Sequence, residues 1–320
     1  MAPSSTHLRK AALGVQTTAG TTVAATRRMP CVFTLDDVIE WDMPDEQQGD
    51  FDTYTVQQLT RLVNVSGTMR AYVSHVPMLL NGVVGLVTPS TVDTTGRIWA
   101  HTSQIVADKS KFTLEWFDGD QGWEIDYLCL KSCKFSFDTK GTITVDFTGY
   151  GRAMATDTVT TLSRVNDVAL VGWQSLFYID AVGGTPGTTL VTKALTNFEF
   201  SIDNGAEPDW TADNSQKFQH VGYGKFEVAA SLGMFPPSAG YQHANYTAGT
   251  SITAQVEVRG AIITAAYQGF KFDLCGPWKA RKPGDRSKLN HQVMDWIPRY
   301  DTTNQFSWRI RTTNLEAGPY

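Results

Sequence analysis

The stretch "CKFSFDTKGTITVDFTGYG" (133–151) limits the possible folds more than any other part of the chain. Phe135 and Phe137 alternate with polar residues, a Thr139-Lys140-Gly141 turn follows, and Ile143, Val145 and Phe147 alternate again. A period of two puts successive side chains on opposite faces, so this is two β-strands joined by a tight turn, each with one apolar face to bury. The pattern recurs. "FTLEWF" (112–117), the turn "DGDQG" and "WEIDYLCL" (123–130) read as a second hairpin. "SITAQVEVRGAIITAAYQGFKFDL" (251–274) gives two strands about Arg259-Gly260 and a third from Phe270, and "FSWRIRTT" (306–313) is a last strand. With 42% apolar and 11% aromatic residues, nine of them Trp, a packed core can form, and the fold class is mainly β. Helical signal is confined to "VPMLLNGVVGL" (76–86), where Pro77 can open a short helix, Gly82 and Gly85 weaken one, and another strand fits as well.

The chain has 320 residues, room for one large domain or two ordinary ones. The polar, unpatterned "ATDTVTT" (155–161) marks a boundary, giving an N-terminal domain over 1–160 and a C-terminal domain over 161–320. The two halves share a layout. "FTLDDVIEWDMPDEQQGDFDTYT" (33–55) and "LTNFEFSIDNGAEPDW" (195–210) both run from an alternating strand into an acidic, Trp-bearing loop. Setting Gly67 on Gly224 aligns "LVNVSGTMRAYVSHVP" (62–77) with "HVGYGKFEVAASLGMFP" (220–236), and downstream "SCKFSFD" (132–138) resembles "GFKFDLC" (269–275). An offset near half the chain is what tandem duplication requires.

Net charge is −5, a poor balance for gripping phosphates. The apolar run 11–15 is too short for a signal-peptide core, and no stretch is long enough to span a bilayer, so membrane insertion is not expected. Four scattered cysteines (Cys31, Cys129, Cys133, Cys275) read as free thiols of a reducing compartment. Cys129 and Cys133 sit four apart, but no CxxC or His pair completes a metal site. Catalytic signatures are missing as well. "GYGKF" (222–226) lacks the remainder of a phosphate loop, "GGTPGTT" (183–189) reads as a loop tip, and the six His are dispersed. "DGDQGWE" (118–124) lacks the ligand set of a calcium loop and reads as a hairpin turn. No cofactor, metal or catalytic residue is assigned. The densest titratable feature is the acidic run Asp36, Asp37, Glu40, Asp42, Asp45, Glu46, Asp50, Asp52, a solvated loop or an electronegative surface with a physical job.

"LGVQTTAGTTVAAT" (13–26), the strand 67–73, "CKFSFDTKGTITVDFTGYGR" (133–152) and "LTNFEFSIDNGAEPDW" (195–210) together resemble the tail tube (major tail) proteins of long-tailed bacteriophages, over nearly the whole chain. The resemblance implies two tandem β-sandwich or barrel-like tube domains with long loop arms and at most short helices. It implies a structural virion protein, not an enzyme, that self-assembles into stacked rings forming a hollow tube for genome ejection. Two domains per chain favour a trimeric ring of pseudo-sixfold symmetry over a hexamer. The implied partners are further copies of the chain, tape measure and tail terminator or tip proteins, and double-stranded DNA passing without specific binding. The implied place is the phage tail, assembled in the host cytoplasm. On this reading Asp36, Asp37, Glu40, Asp42, Asp45 and Glu46 form an acidic lumen or an inter-subunit loop. The poorly patterned segments 88–110 and 236–250 supply ring-stacking arms through Thr95, Trp99, His101, Tyr241, His243 and Tyr246. The basic "KARKPGDRSK" (279–288) reads as a solvated loop, with salt bridging to an acidic loop of the next subunit as a further option.

Two other classes compete. A two-domain carbohydrate-binding or adhesin module would use Trp99, Trp123, Trp210 and Trp278 to stack on sugars, and a glycoside hydrolase would use carboxylates of the acidic run.

Overall fold

A computed structural model describes residues 8–43, 56–92, 96–104, 108–164, 167, 169–236, 241–263 and 266–316. The first half contains β1 (Lys10–Val15), β2 (Arg27–Met29), β3 (Cys31–Asp42), β4 (Gln57–Arg70), α1 (Val76–Val83), β5 (Ser90–Thr91), β6 (Arg97–Thr102), β7 (Phe112–Phe117), β8 (Gly122–Asp138), β9 (Thr144–Gly151) and β10 (Ala153–Thr156). The second contains β11 (Ser175–Ala181), β12 (Leu195–Asp203), β13 (Glu207–Asp209), β14 (His220–Gly222), β15 (Glu227–Met234), α2 (Tyr241–Thr247), β16 (Ile252–Ile263), β17 (Ala266–Gly276), β18 (Trp278–Arg286), β19 (Leu289–Trp296) and β20 (Trp308–Asn314). All named strand pairs are antiparallel, as expected of hairpin-rich sequence.

Strand β8 organises the molecule. Its first part pairs with β7 and β10, and its second part with β9 and β12. The change of partners falls near Tyr127, which takes φ 49, an uncommon conformation for a residue with a side chain. From the second part of β8, one continuous path runs β3-β4-β9-β8-β12-β15-β19-β18. A second sheet has the order β11-β16-β17-β20-β6-β5. Between the sheets the alternate phenylalanines meet. Phe272 of β17 lies 5.1 Å from Phe135, 5.0 Å from Phe198 and 5.7 Å from Phe200 (ring centroids), and Phe200 lies 6.1 Å from Trp308. The architecture is therefore a β-sandwich with an aromatic centre.

Helix α1 settles the ambiguity at 76–86. All eight residues are buried, with Pro77 in the first turn, where its missing N–H costs nothing.

One scheme of pairing occurs twice. β1 pairs with β7 and β7 with β8; β11 pairs with β16 and β16 with β17. The ladder β3-β4-β9-β8 is matched by β12-β15-β19-β18, α1 by α2, and the β10–β8 pair by β20–β17. Where β8 is unbroken, its counterpart is interrupted at Gly276-Pro277 into β17 and β18. Each version carries a bulge at the same place. The β8–β9 register shifts between Leu130 and Ser132, the β18–β19 register between Trp278 and Ala280, and the extra residue is a lysine in both, Lys131 and Lys279. This correspondence differs from the alignment made on sequence identities. The counterpart of Gly67 is Leu232, not Gly224, and that of 132–138 is 280–286, not 269–275. Unequal connections displaced the sequence match, since β5 and β6 lie between α1 and β7 while α2 leads directly to β16.

Two further expectations are corrected. Residues 36–42 are not loop but the outer part of β3, and the unpatterned 97–102 is β6, which pairs with β20 inside the second sheet.

Candidate assembly surface

Alternation along eight strands makes two unlike faces. Phe33, Val65, Met69, Val145, Phe147, Cys133, Phe135, Phe198, Phe200, Leu232 and Met294 are buried on one. The other is a plane of small polar side chains in cross-strand rows. One row is Thr34, Ser66, Thr148, Ser132, Asp203, Glu227, and the next is Val32, Thr68, Asp146, Lys134, Ser201, Ala229. Neighbours in these rows satisfy one another: Thr68 Oγ1 donates to Asp146 at 2.7 Å, and the Ser132–Thr148 and Ser136–Thr144 hydroxyls lie 2.7 and 2.9 Å apart. Such pairs hold a sheet's register on a wet face.

Charge on this face is close to balanced. Asp36, Asp138, Asp146, Glu199, Asp203, Glu227 and Asp295 oppose Arg70, Lys131, Lys134, Lys279, Lys282 and Arg286. Lys134 pairs with Glu199 at 3.1 Å, Lys282 with Asp295 at 2.7 Å, and Arg286 with Asp138. In each pair the base has an anion beside it, and the Lys282 side chain stays 67% exposed. Hydrogen bonding to Lys282 and Ser231 holds the Asp295 carboxyl below its usual range, the Lys282 bond being the largest cause.

The acidic run divides between the faces. Asp36 is exposed on the polar face; Asp37 points to the other side and pairs with Arg61 at 2.6 Å, while Arg61 also donates to the Met154 carbonyl. Glu40 accepts from Thr60 at 2.8 Å, and Asp42 is exposed near the strand end. Asp45 and Glu46 lie outside the described residues. The outer β3–β4 hairpin also exposes Val38, Trp41, Met43, Val56 and Leu59. A ribbon wet on both sides explains why its alternation was poorly legible.

The arm residues are not one surface. Trp99 and His101 are fully buried, so their side chains cannot meet a neighbouring ring in this conformation. Trp99 Nε1 donates to Asn314 Oδ1 at 3.1 Å, and His101 Nε2 lies 2.9 Å from Asn81 Oδ1. Burial lowers the His101 pKa to about 3. His243 is exposed on α2, Tyr246 is half-buried against the core, and Thr95 and the Tyr241 side chain lie outside the described residues.

Other chemistry is accounted for by structure. Cys129 and Cys133 face different clusters, so they do not form half of a metal site; burial pushes the Cys129 thiol up to about 11. Among the described residues no group of three potential ligands comes together, and no helix is long and apolar enough to cross a membrane. Asp118 caps the β7–β8 turn by accepting from Asp120 N, Gln121 N and Trp123 Nε1.

The family model described as phage tail tube protein matches residues 6–292. The chain belongs to this family. No curated protein matches it significantly. A phage tail tube protein is a structural component of the virion tail and self-assembles into a tube. The four tryptophans considered for sugar stacking are held by contacts within this tail tube protein. Trp99 and Trp278 are buried, Trp123 is tied to Asp118, and Trp210 packs edge-on against Phe218. Sequence reading missed the polar plane as a site, although its signal was present: Lys134, Ser136, Thr144, Asp146 and Thr148 are the residues between the recognised phenylalanines and valines.

Proposed function

We propose that the chain closes head-to-tail into rings that stack as the tail tube, with the polar face of the eight-stranded sheet turned to the lumen and double-stranded DNA passing over it. The observation that carries this reading is the sheet itself, apolar on one face, polar on the other, with β3 and β18 paired on one side only among the described residues. A sheet with two open edges closes by joining edge to edge between copies. The twofold pairing scheme supports two tandem tube-type units, 1–160 and 161–320, so that three chains supply six similar positions. Balanced charge suits passage, because a wall with no excess of cations has few counterion-releasing contacts for phosphates. The role is mechanical rather than catalytic, and the remaining partners are the tape measure and the tail terminator or tip proteins of a long-tailed phage. Buried free thiols suit assembly in the host cytoplasm.

Electron microscopy of the concentrated protein tests this. Hollow tubes whose end-on averages show three chains and six lobes are expected; six whole chains per ring would refute the tandem reading. Replacing Thr68, Thr148 and Ser201 by Lys should leave tubes intact and slow genome delivery, and unchanged delivery would remove this face from the lumen.

A further inference from the structure

We propose that β18 of one chain pairs antiparallel with β3 of a second copy, in a register that places Lys282 opposite Asp36 and Arg281 opposite Asp37. This rests on the ring reading above and identifies the joint that closes the ring.

The eight-stranded sheet consists of two four-stranded ladders side by side, β3-β4-β9-β8 and β12-β15-β19-β18. Inside the chain they meet where β8 pairs with β12, from Ser132↔Asp203 to Asp138↔Asn197. The counterpart of β8 at that joint is β18, and the counterpart of β12 is β3. Among the described residues both have an unpaired edge. Repeating the internal joint once therefore sets β18 against the β3 of another copy.

The register follows from the bulges. They equate Ser132 with Ala280, hence Cys133 with Arg281. Stepping across the first ladder, Cys133 lies opposite Phe147, Phe147 opposite Gly67, and Gly67 opposite Phe33. In the second, Arg281 lies opposite Met294, Met294 opposite Leu232, and Leu232 opposite Phe198. Phe33 thus corresponds to Phe198, and Asp37 to Ile202. Since Ile202 lies opposite Cys133, Asp37 lies opposite Arg281, Asp36 opposite Lys282 and Thr34 opposite Gly284.

Charge played no part in fixing this register, yet two acids fall opposite two bases, one pair on each face of the sheet. The internal joint is bridged by an ion pair as well, a diagonal one, Lys134 with Glu199 at 3.1 Å. Pro283 removes one backbone donor from β18, so the joint is at most one ladder hydrogen bond short.

The full chain carrying Thr34→Cys and Gly284→Cys provides the test. Thr34 is exposed, and nothing lies within 4 Å of a Cβ built on Gly284. Copper-phenanthroline oxidation of the polymerised protein should link chains into a ladder on non-reducing gels, while either single variant stays unlinked. The offset pair Thr34→Cys with Lys282→Cys should link far less; equal linking would overturn the register. Tubes in the microscope without a linked ladder would overturn the joint and leave the rings standing. Failure to form rings or tubes under any condition would remove the ring reading, and the joint with it. As a second readout, Asp36→Lys or Lys282→Glu alone should slow polymerisation about tenfold, and the two together should restore it. Absence of rescue would count against the pair.

Discussion

Three residues show how single positions govern this molecule. His101 is neutral and fully buried, with a folded-state pKa near 3 against an ordinary value of 6.5. Its contribution is complete above pH 6.5 and is lost as pH falls toward 3, at up to about 1.4 kcal/mol per pH unit. His101→Gln should flatten the acid limb of the stability curve, measured as the urea midpoint from pH 7 to 4; an unchanged slope would show that His101 does not set it. Asp273 has no exposed side-chain surface and accepts from Gln255, from Arg309 Nε at 2.7 Å and from Arg311 Nη2. Asp273→Ala leaves two guanidinium groups without their anion and should cost about 3 kcal/mol in denaturant unfolding, the low end for a broken buried pair because both arginines reach solvent. Gly67 sits beneath the Phe147 ring, where an added Cβ would lie 2.3 Å from a ring carbon. Gly67→Ala should destabilise by about 1–3 kcal/mol. Its counterpart Leu232 has no such ring to accommodate, which is why matching glycines misaligned the halves.

At the level of strands and helices, the hairpins were legible wherever one face is buried and the other wet. β8, β9, β12 and β17 all lie where alternating phenylalanines put them. Legibility failed for physical reasons at three places. The outer part of β3 projects with both faces partly wet, so its charges read as loop. Helix α1 is buried all round, so it has no polar stripe to set its period. Strand β6 carries Trp99 and His101 inward among polar neighbours, and its single strong partner, β20, comes from the far end of the chain. The aromatic centre is the best place to test the sandwich: Phe272→Ala removes the ring shared by Phe135, Phe198 and Phe200 and should cost about 3–5 kcal/mol. A loss below 1 kcal/mol by calorimetry would mean that the two sheets do not depend on that contact.

On the scale of the whole chain, the two halves are stitched through both sheets. β12 completes the edge of β8 and β20 completes that of β6. A fragment ending at residue 160 would expose both edges, and should aggregate or bind its missing half when the two are refolded together; a soluble monomeric fragment on a sizing column would show that the stitching is dispensable. The candidate surface was only half legible for the same reason. Its residue types were visible along each strand, but the order in which strands lie side by side, and so the plane and its open edges, depends on pairings between distant segments that no local pattern encodes.

The break at Gly276-Pro277 has a hereditary side. A chain that holds two versions of one pairing scheme exposes each version to its own mutations, and no substitution touches both. The unbroken β8 and the divided β17–β18, Leu130 and Trp278, Gly67 and Leu232 are places where the two versions differ. One version is free to keep an old task while the other drifts toward a new one.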